Sequence, residues 1–70
     1  MESAVIGHVG RVYTFNDNAK IKIVYVKHRY SGWVVMYEIT YPGSLPQRLI
    51  MPESEFISAF GHLFFSNDDL

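Results

Sequence analysis

The chain has no cysteine, and its three histidines, His8, His28 and His62, are scattered along 70 residues. Without thiols, disulfide bridges and thiolate-bound zinc are excluded, and the histidines show no metal-ligand spacing with one another or with a carboxylate. No metal and no cofactor is expected. A cysteine-free chain also fits a reducing compartment, so the cytoplasm is the expected location. Met1 to Gly10 carries Glu2, lacks a basic leader, and its apolar stretch is broken by Gly7 and His8. No stretch approaches bilayer-spanning length, so neither export nor membrane insertion is expected. Charge of one sign is missing too: six Lys and Arg face seven Asp and Glu, for a formal net charge of −1. An overall basic field is therefore excluded, and only a local basic patch remains open.

Catalytic motifs are equally scarce. Ser3, Ser31, Ser44, Ser54, Ser58 and Ser66 lack the strand-to-helix elbow that exposes a serine nucleophile. Glu53 and Glu55, two residues apart on a presumed helix, point to different sides, while Glu38 belongs to a strand. They are expected to face solvent and support the helix terminus. Gly7-His8-Val9-Gly10 leads into a strand, so the helix dipole and amide cradle of a phosphate loop are missing and a turn or bulge is expected. An enzyme is therefore not expected.

Apolar side chains are plentiful. Hydrophobic residues make up 49% and aromatics 16% of the chain, enough for one compact core in a domain near the lower size limit of independent folding. Residues 1–70 are read as a single domain, with loose ends at 1–3 and 66–70. Gly10 to Phe15 reads as a strand stopped by Asn16-Asp17-Asn18. Lys20 to Lys27 alternates at first and then loses its period before a hairpin loop at His28 to Gly32. Trp33 to Tyr41 is the strongest strand signal, placing Trp33, Val35, Tyr37, Ile39 and Tyr41 on a core face and Val34, Met36, Glu38 and Thr40 on the other. Pro42-Gly43 breaks this strand, and Gln47 to Met51 is an edge strand between Pro46 and Pro52. Glu53, Glu55, Phe56, Ile57 and Phe60 then give a helix of two or three turns before Gly61. With a possible extra strand at Ala4 to His8, the pattern predicts a mainly β fold. Its form is a small, bent SH3-like barrel of four to five antiparallel strands with one short C-terminal helix.

Two surfaces are candidates for function. Val24 and Val26 are expected beside Lys20 and Lys22, Val34 and Met36 opposite the Trp33 face, and Leu63-Phe64-Phe65 beyond the helix. A small core cannot hide all of them, so Val34, Met36, Leu63, Phe64 and Phe65 form a candidate apolar surface for another protein or a weak homodimer. The barrel reading offers the alternative that these residues are buried where curled strands turn corners. The second surface is basic and aromatic. Lys20, Lys22, Lys27 and Arg29 with Tyr30 and Trp33 have the composition of a sheet that neutralises phosphates and stacks bases, as in RNA- or single-stranded-DNA-binding barrels. Lysines on an edge hairpin also block aggregation, and the aromatics also suit a core, so the pattern fits a purely structural role as well.

Gly7-xx-Gly10-x-Val12, followed by a loop and an Ile/Val-rich strand, resembles the opening of Tudor and KOW domains among the SH3-like barrels. From Arg11 to Phe60 the order is similar to short barrel-like families of phages and prophages, running through Val12-Tyr13, Trp33 to Tyr37, Met51-Pro52, Phe56 and Phe60. That resemblance implies a phage-type protein acting by contact, as a modulator or inhibitor of a host protein. The aromatic cage of Tudor domains has no matching positions here. The leading functional expectation is a non-catalytic protein-binding module, with single-stranded nucleic-acid binding as its alternative.

Overall fold

The computed structural model describes residues 2–15 and 18–65. Most of the Asn16-Asp17-Asn18 turn and the 66–70 tail lie outside the described residues. A short 3-10 turn at Ile6–His8 precedes strands β1 (Val12–Phe15), β2 (Ala19–Arg29), β3 (Gly32–Thr40) and β4 (Gln47–Pro52), and helix α1 (Glu53–Phe64) follows. The four strands form one antiparallel sheet in the order β1-β2-β3-β4. The sheet stays unclosed, with β1 and β4 at opposite edges, in place of the expected bent barrel. Strand content is legible from alternation, but closure depends on twist and shear, which alternation does not encode.

Of the expected core face, Val35, Tyr37 and Ile39 of β3 are buried, whereas Trp33 is only half-buried and Tyr41 lies past the strand's end and is 46% exposed. Together with Val5, Ile21, Ile23, Phe56 and Phe64 they form the core. The helix supplies its share through the i, i+4, i+8 stripe of Phe56, Phe60 and Phe64. Phe56 lies 5.1 Å from Tyr37 between ring centroids, and Phe64 lies 4.3 Å from Tyr13. This stripe explains why α1 runs past Gly61, where the sequence marks an end. Glycine inside a helix costs about 1 kcal/mol relative to alanine, and burying a large apolar side chain such as Phe64 returns about 1.5–3 kcal/mol.

The expected strand at Ala4 to His8 is instead the 3-10 turn, followed by a single parallel bridge from Val9 to Ile23. Gly10, at φ +87°, redirects the chain into β1 while its N–H donates to the Ile23 carbonyl at 2.9 Å. Ser3, expected to be loose, is buried. Its hydroxyl and the Ala4 N–H both donate to Glu53 Oε2 at 2.6 Å, so Glu53 anchors the N-terminal segment and does not simply face solvent. Pro42-Gly43 makes the expected tight turn, with Gly43 at φ +78° and the Ser44 N–H donating to the Tyr41 carbonyl at 2.9 Å.

Candidate functional site

One irregularity decides which side chains share a face. The register of β2 against β3 shifts between Ile23, opposite Tyr37, and Tyr25, opposite Met36, leaving Val24 as an extra residue in a β-bulge. A regular strand would carry Lys27 onto the same side as Ile21 and Ile23, in the core. With the bulge, Val26 pairs with Val35 and packs against the core, while Lys27 pairs with Val34 on the opposite face. Val26 therefore does not join Lys20 and Lys22 as the alternation predicts. The loss of period within Lys20 to Lys27 is the bulge itself, visible in the sequence but not interpretable there.

Helix α1 and the N-terminal segment both pack on the Tyr37 side of the sheet. Among the described residues the other side, the outer face, is left uncovered. Cross-strand partners place its side chains in four rows: Thr14, Lys20 and Thr40; Val12, Lys22, Glu38 and Arg48; Tyr25, Met36 and Ile50; Lys27, Val34 and Pro52. Half of this face is polar and cationic, and half is apolar. Val12 and Ile50 are more than half exposed, at 57% and 56%. Four of the six Lys and Arg residues stand on it against one carboxylate, Glu38. Arg48 Nε donates to Glu38 Oε2 at 2.7 Å and, more than any other contact, holds that carboxyl below its usual range. The remaining carboxylates among the described residues, Glu2, Glu53 and Glu55, lie on the N-terminal segment and helix. A net charge near zero thus conceals a one-sided distribution.

Two shallow depressions adjoin at the cationic end. One of about 250 Å³ is lined by Val12, Lys20, Lys22, Glu38 and Thr40. The second, of about 320 Å³, shares Lys20 and Thr40 and continues under the Tyr41-Pro42-Gly43 turn. Lys20 Nζ is 3.4 Å from Thr14 Oγ1, and Lys27 Nζ sits 5.0 Å above the Tyr25 ring.

The two candidate surfaces from the sequence are redistributed by this geometry. Val34 and Met36 do lie on the outer face, half-buried by their neighbours. Leu63-Phe64-Phe65 does not follow the helix as an apolar patch: Leu63 and Phe64 belong to α1, Phe64 is 7% exposed, and Leu63 packs against the core. Phe65 is exposed and lies edge-on to His8 at 5.8 Å. Of the basic and aromatic set, Lys20, Lys22 and Lys27 share the outer face. Arg29 and Tyr30 sit at the β2–β3 turn, where Tyr30 is fully exposed. Trp33 is on the helix side, paired across the strands with His28 at 4.9 Å between ring centroids. It cannot share a stacking surface with the lysines. Val12, Arg48 and Ile50 belong to the site and were not singled out by the sequence. Only the pairing register could have found them.

His8 is part of an aromatic cluster, with Nδ1 2.7 Å from the Tyr13 hydroxyl and its ring 5.4 Å from that of Phe64. Among the described residues no three His, Asp or Glu side chains gather as a metal site would require. Likewise, no helix is long and apolar enough to cross a membrane. Compared with protein-family models, curated proteins and solved structures, the chain matches none.

Proposed function

We propose that the protein is a non-catalytic docking module whose outer sheet face seats an acidic, partly apolar polypeptide segment. The observation that carries this reading is the uncovered Tyr25, Met36 and Ile50 row, set between the Lys22, Glu38 and Arg48 row and Lys27. An uncovered apolar strip, half-buried at Tyr25 and Met36, with a charged rim has the anatomy of a protein interface, and four cations against one carboxylate select an acidic partner. Acting by contact alone suits a modulator of another protein, the role that the phage-type resemblance implies.

A synthetic peptide in which glutamates flank a pair of leucines tests the reading. It is expected to bind and to perturb the amide resonances of Lys22, Tyr25, Met36 and Ile50, and Met36→Asp is expected to weaken it by roughly tenfold or more. A peptide with lysine in place of glutamate is expected not to bind. Equal binding of the two peptides, or perturbations confined to the helix side, overturns the assignment.

A second reading places single-stranded nucleic acid on the same face, favoured by the four cations and by Tyr25. It ranks lower because Tyr25 is the one aromatic in the four rows, and the aliphatic Val34, Met36 and Ile50 offer no stacking platform.

A further inference from the structure

Among the described residues the sheet has two free edges, and they are protected very differently. On one side β1 is only four residues long, and the β2 segment beyond it carries the Val24 bulge together with Lys27 and Arg29. Short length, a bulge and cations are the devices by which natural sheets block strand addition. On the other side β4 is paired, among the described residues, only to β3; its ladder is regular, and its single charge, Arg48, is engaged by Glu38. Apolar side chains flank this second edge on both faces: Leu49 is 42% and Ile50 56% exposed, and Leu45 just before the strand is 84% exposed. An open, regular, nearly uncharged edge with exposed aliphatics is a template for another strand.

We infer that β4 pairs antiparallel with β4 of a second copy, joining two four-stranded sheets into one of eight about a two-fold axis through Leu49. The prolines bound the pairing, and the segment between them is complementary to itself. Pro46 and Pro52 cannot donate to a ladder, so a pairing is confined to the five residues from Gln47 to Met51, whose centre is Leu49. In that register Leu49 faces the partner's Leu49 on the helix side, and Arg48 faces the partner's Ile50 on the outer side. Gln47 faces the partner's Met51, and Pro46 faces the partner's Pro52. No like charges meet. The association closes at two copies because the other edge is blocked, so a dimer forms and not a fibre. Stacking two outer faces is the electrostatically unfavourable alternative, since it opposes four cations to four. The edge pairing leaves the outer face open, so it stands or falls separately from the docking reading.

Charge exchange at the two-fold position tests the pairing with the full chain. Sedimentation equilibrium is expected to show a monomer–dimer equilibrium for the unaltered protein. Leu49→Lys and Leu49→Glu, each placing like charges directly opposite, are expected to raise the dimer dissociation constant by roughly tenfold or more. Circular dichroism checks that each variant remains folded, and an equimolar mixture of the two is expected to dimerise again. A strictly monomeric unaltered protein, a dimer indifferent to both substitutions, or folded variants whose mixture stays monomeric would each overturn the proposal. Met36→Asp supplies the contrast: it is expected to leave the dimer unchanged, and a dimer lost with Met36→Asp but kept with Leu49→Lys would relocate the contact to the outer face and overturn the edge pairing.

Discussion

Ser3 and Glu53, fifty residues apart in the chain, are joined by a hydrogen bond of 2.6 Å from hydroxyl to carboxylate. The same carboxylate oxygen accepts the Ala4 N–H, and Ser3 Oγ in turn accepts the Val5 N–H at 3.1 Å. Through these bonds the first helical residue fixes the strand-free N-terminal segment that delivers Val5, fully buried, to the core. Glu53→Ala removes the shared acceptor from two donors. The expected loss is about 1–3 kcal/mol, read from urea unfolding, with faster hydrogen exchange concentrated at Ala4 and Val5. Glu55→Ala, at an exposed position in the same helical turn, is expected to change stability by less than about 0.5 kcal/mol. Equal effects at the two positions would mean that the Glu53 contribution is only that of a negative charge near the helix start.

Phe56 is the largest fully buried side chain and touches the rings of Tyr37, Phe60 and Phe64. Phe56→Ala is expected to cost about 3–5 kcal/mol. For 70 residues the whole stability is on the order of 3.5–10 kcal/mol, so the variant should be largely or partly unfolded at room temperature. Leu45→Ala, at the exposed β3–β4 loop, should be nearly silent when both variants are compared by thermal melting. A Phe56→Ala protein with an unchanged melting temperature would show that the helix is not docked through this stripe.

The fold was legible where the backbone obeyed its simplest rules. The period-two pattern of Val35, Tyr37 and Ile39 in β3, the Pro42-Gly43 turn and the Phe56 to Phe60 spacing each correspond to an element at the expected place. Gly61 was misleading because a local helix-ending signal was outweighed by the burial of Phe64 one turn later. The candidate site was only half legible. Val34 and Met36 follow from alternation alone, but Lys27 reaches the outer face through the bulge, and Arg48 and Ile50 join it through pairing with Glu38 and Met36. Trp33, read as a stacking residue, falls on the helix side by that same alternation. Residues brought together by register carry no signature in their sequence spacing.

Acid and alkali should destabilise the protein through different residues. The Arg48 hydrogen bond depresses the Glu38 carboxyl in the folded state, with smaller help from the charges of Arg48 and Lys22 against an opposing effect of burial. Its contribution is therefore present above the usual glutamate range and is lost as pH falls through the depressed folded value. Because the pair is solvent-exposed, added salt should shrink this loss, and Glu38→Gln should abolish it. Burial, and secondarily the charge of Tyr41, raise the Tyr37 phenol. That contribution is present below the ordinary phenol range and is lost as pH rises through the raised folded value, so Tyr37→Phe should flatten the alkaline limb. Urea midpoints measured across the pH range check both limbs, and an acid limb unchanged in Glu38→Gln would remove Arg48 as its cause.

The outer face makes a prediction about salt that separates its two readings. Contact with nucleic-acid phosphates releases condensed counterions, and affinity for a single strand then falls with salt at a slope of roughly 0.7 per contact on logarithmic axes. A short acidic peptide has no such condensed atmosphere, and its binding should show the shallower dependence of ordinary screening. Lys20→Gln with Lys22→Gln is expected to weaken peptide binding several-fold, while Met36→Asp weakens it more, because the apolar row carries the larger share. For oligothymidine the order should reverse: the lysine pair would dominate, Tyr25→Leu would cost about 1–3 kcal/mol if a base stacked there, and Met36 would matter little. Trp33→Phe should leave both ligands unaffected, since its ring pairs with His28 on the other side of the sheet. Tight oligothymidine binding at low salt, with a steep slope reduced by the lysine changes, would overturn the peptide reading and establish the nucleic-acid one.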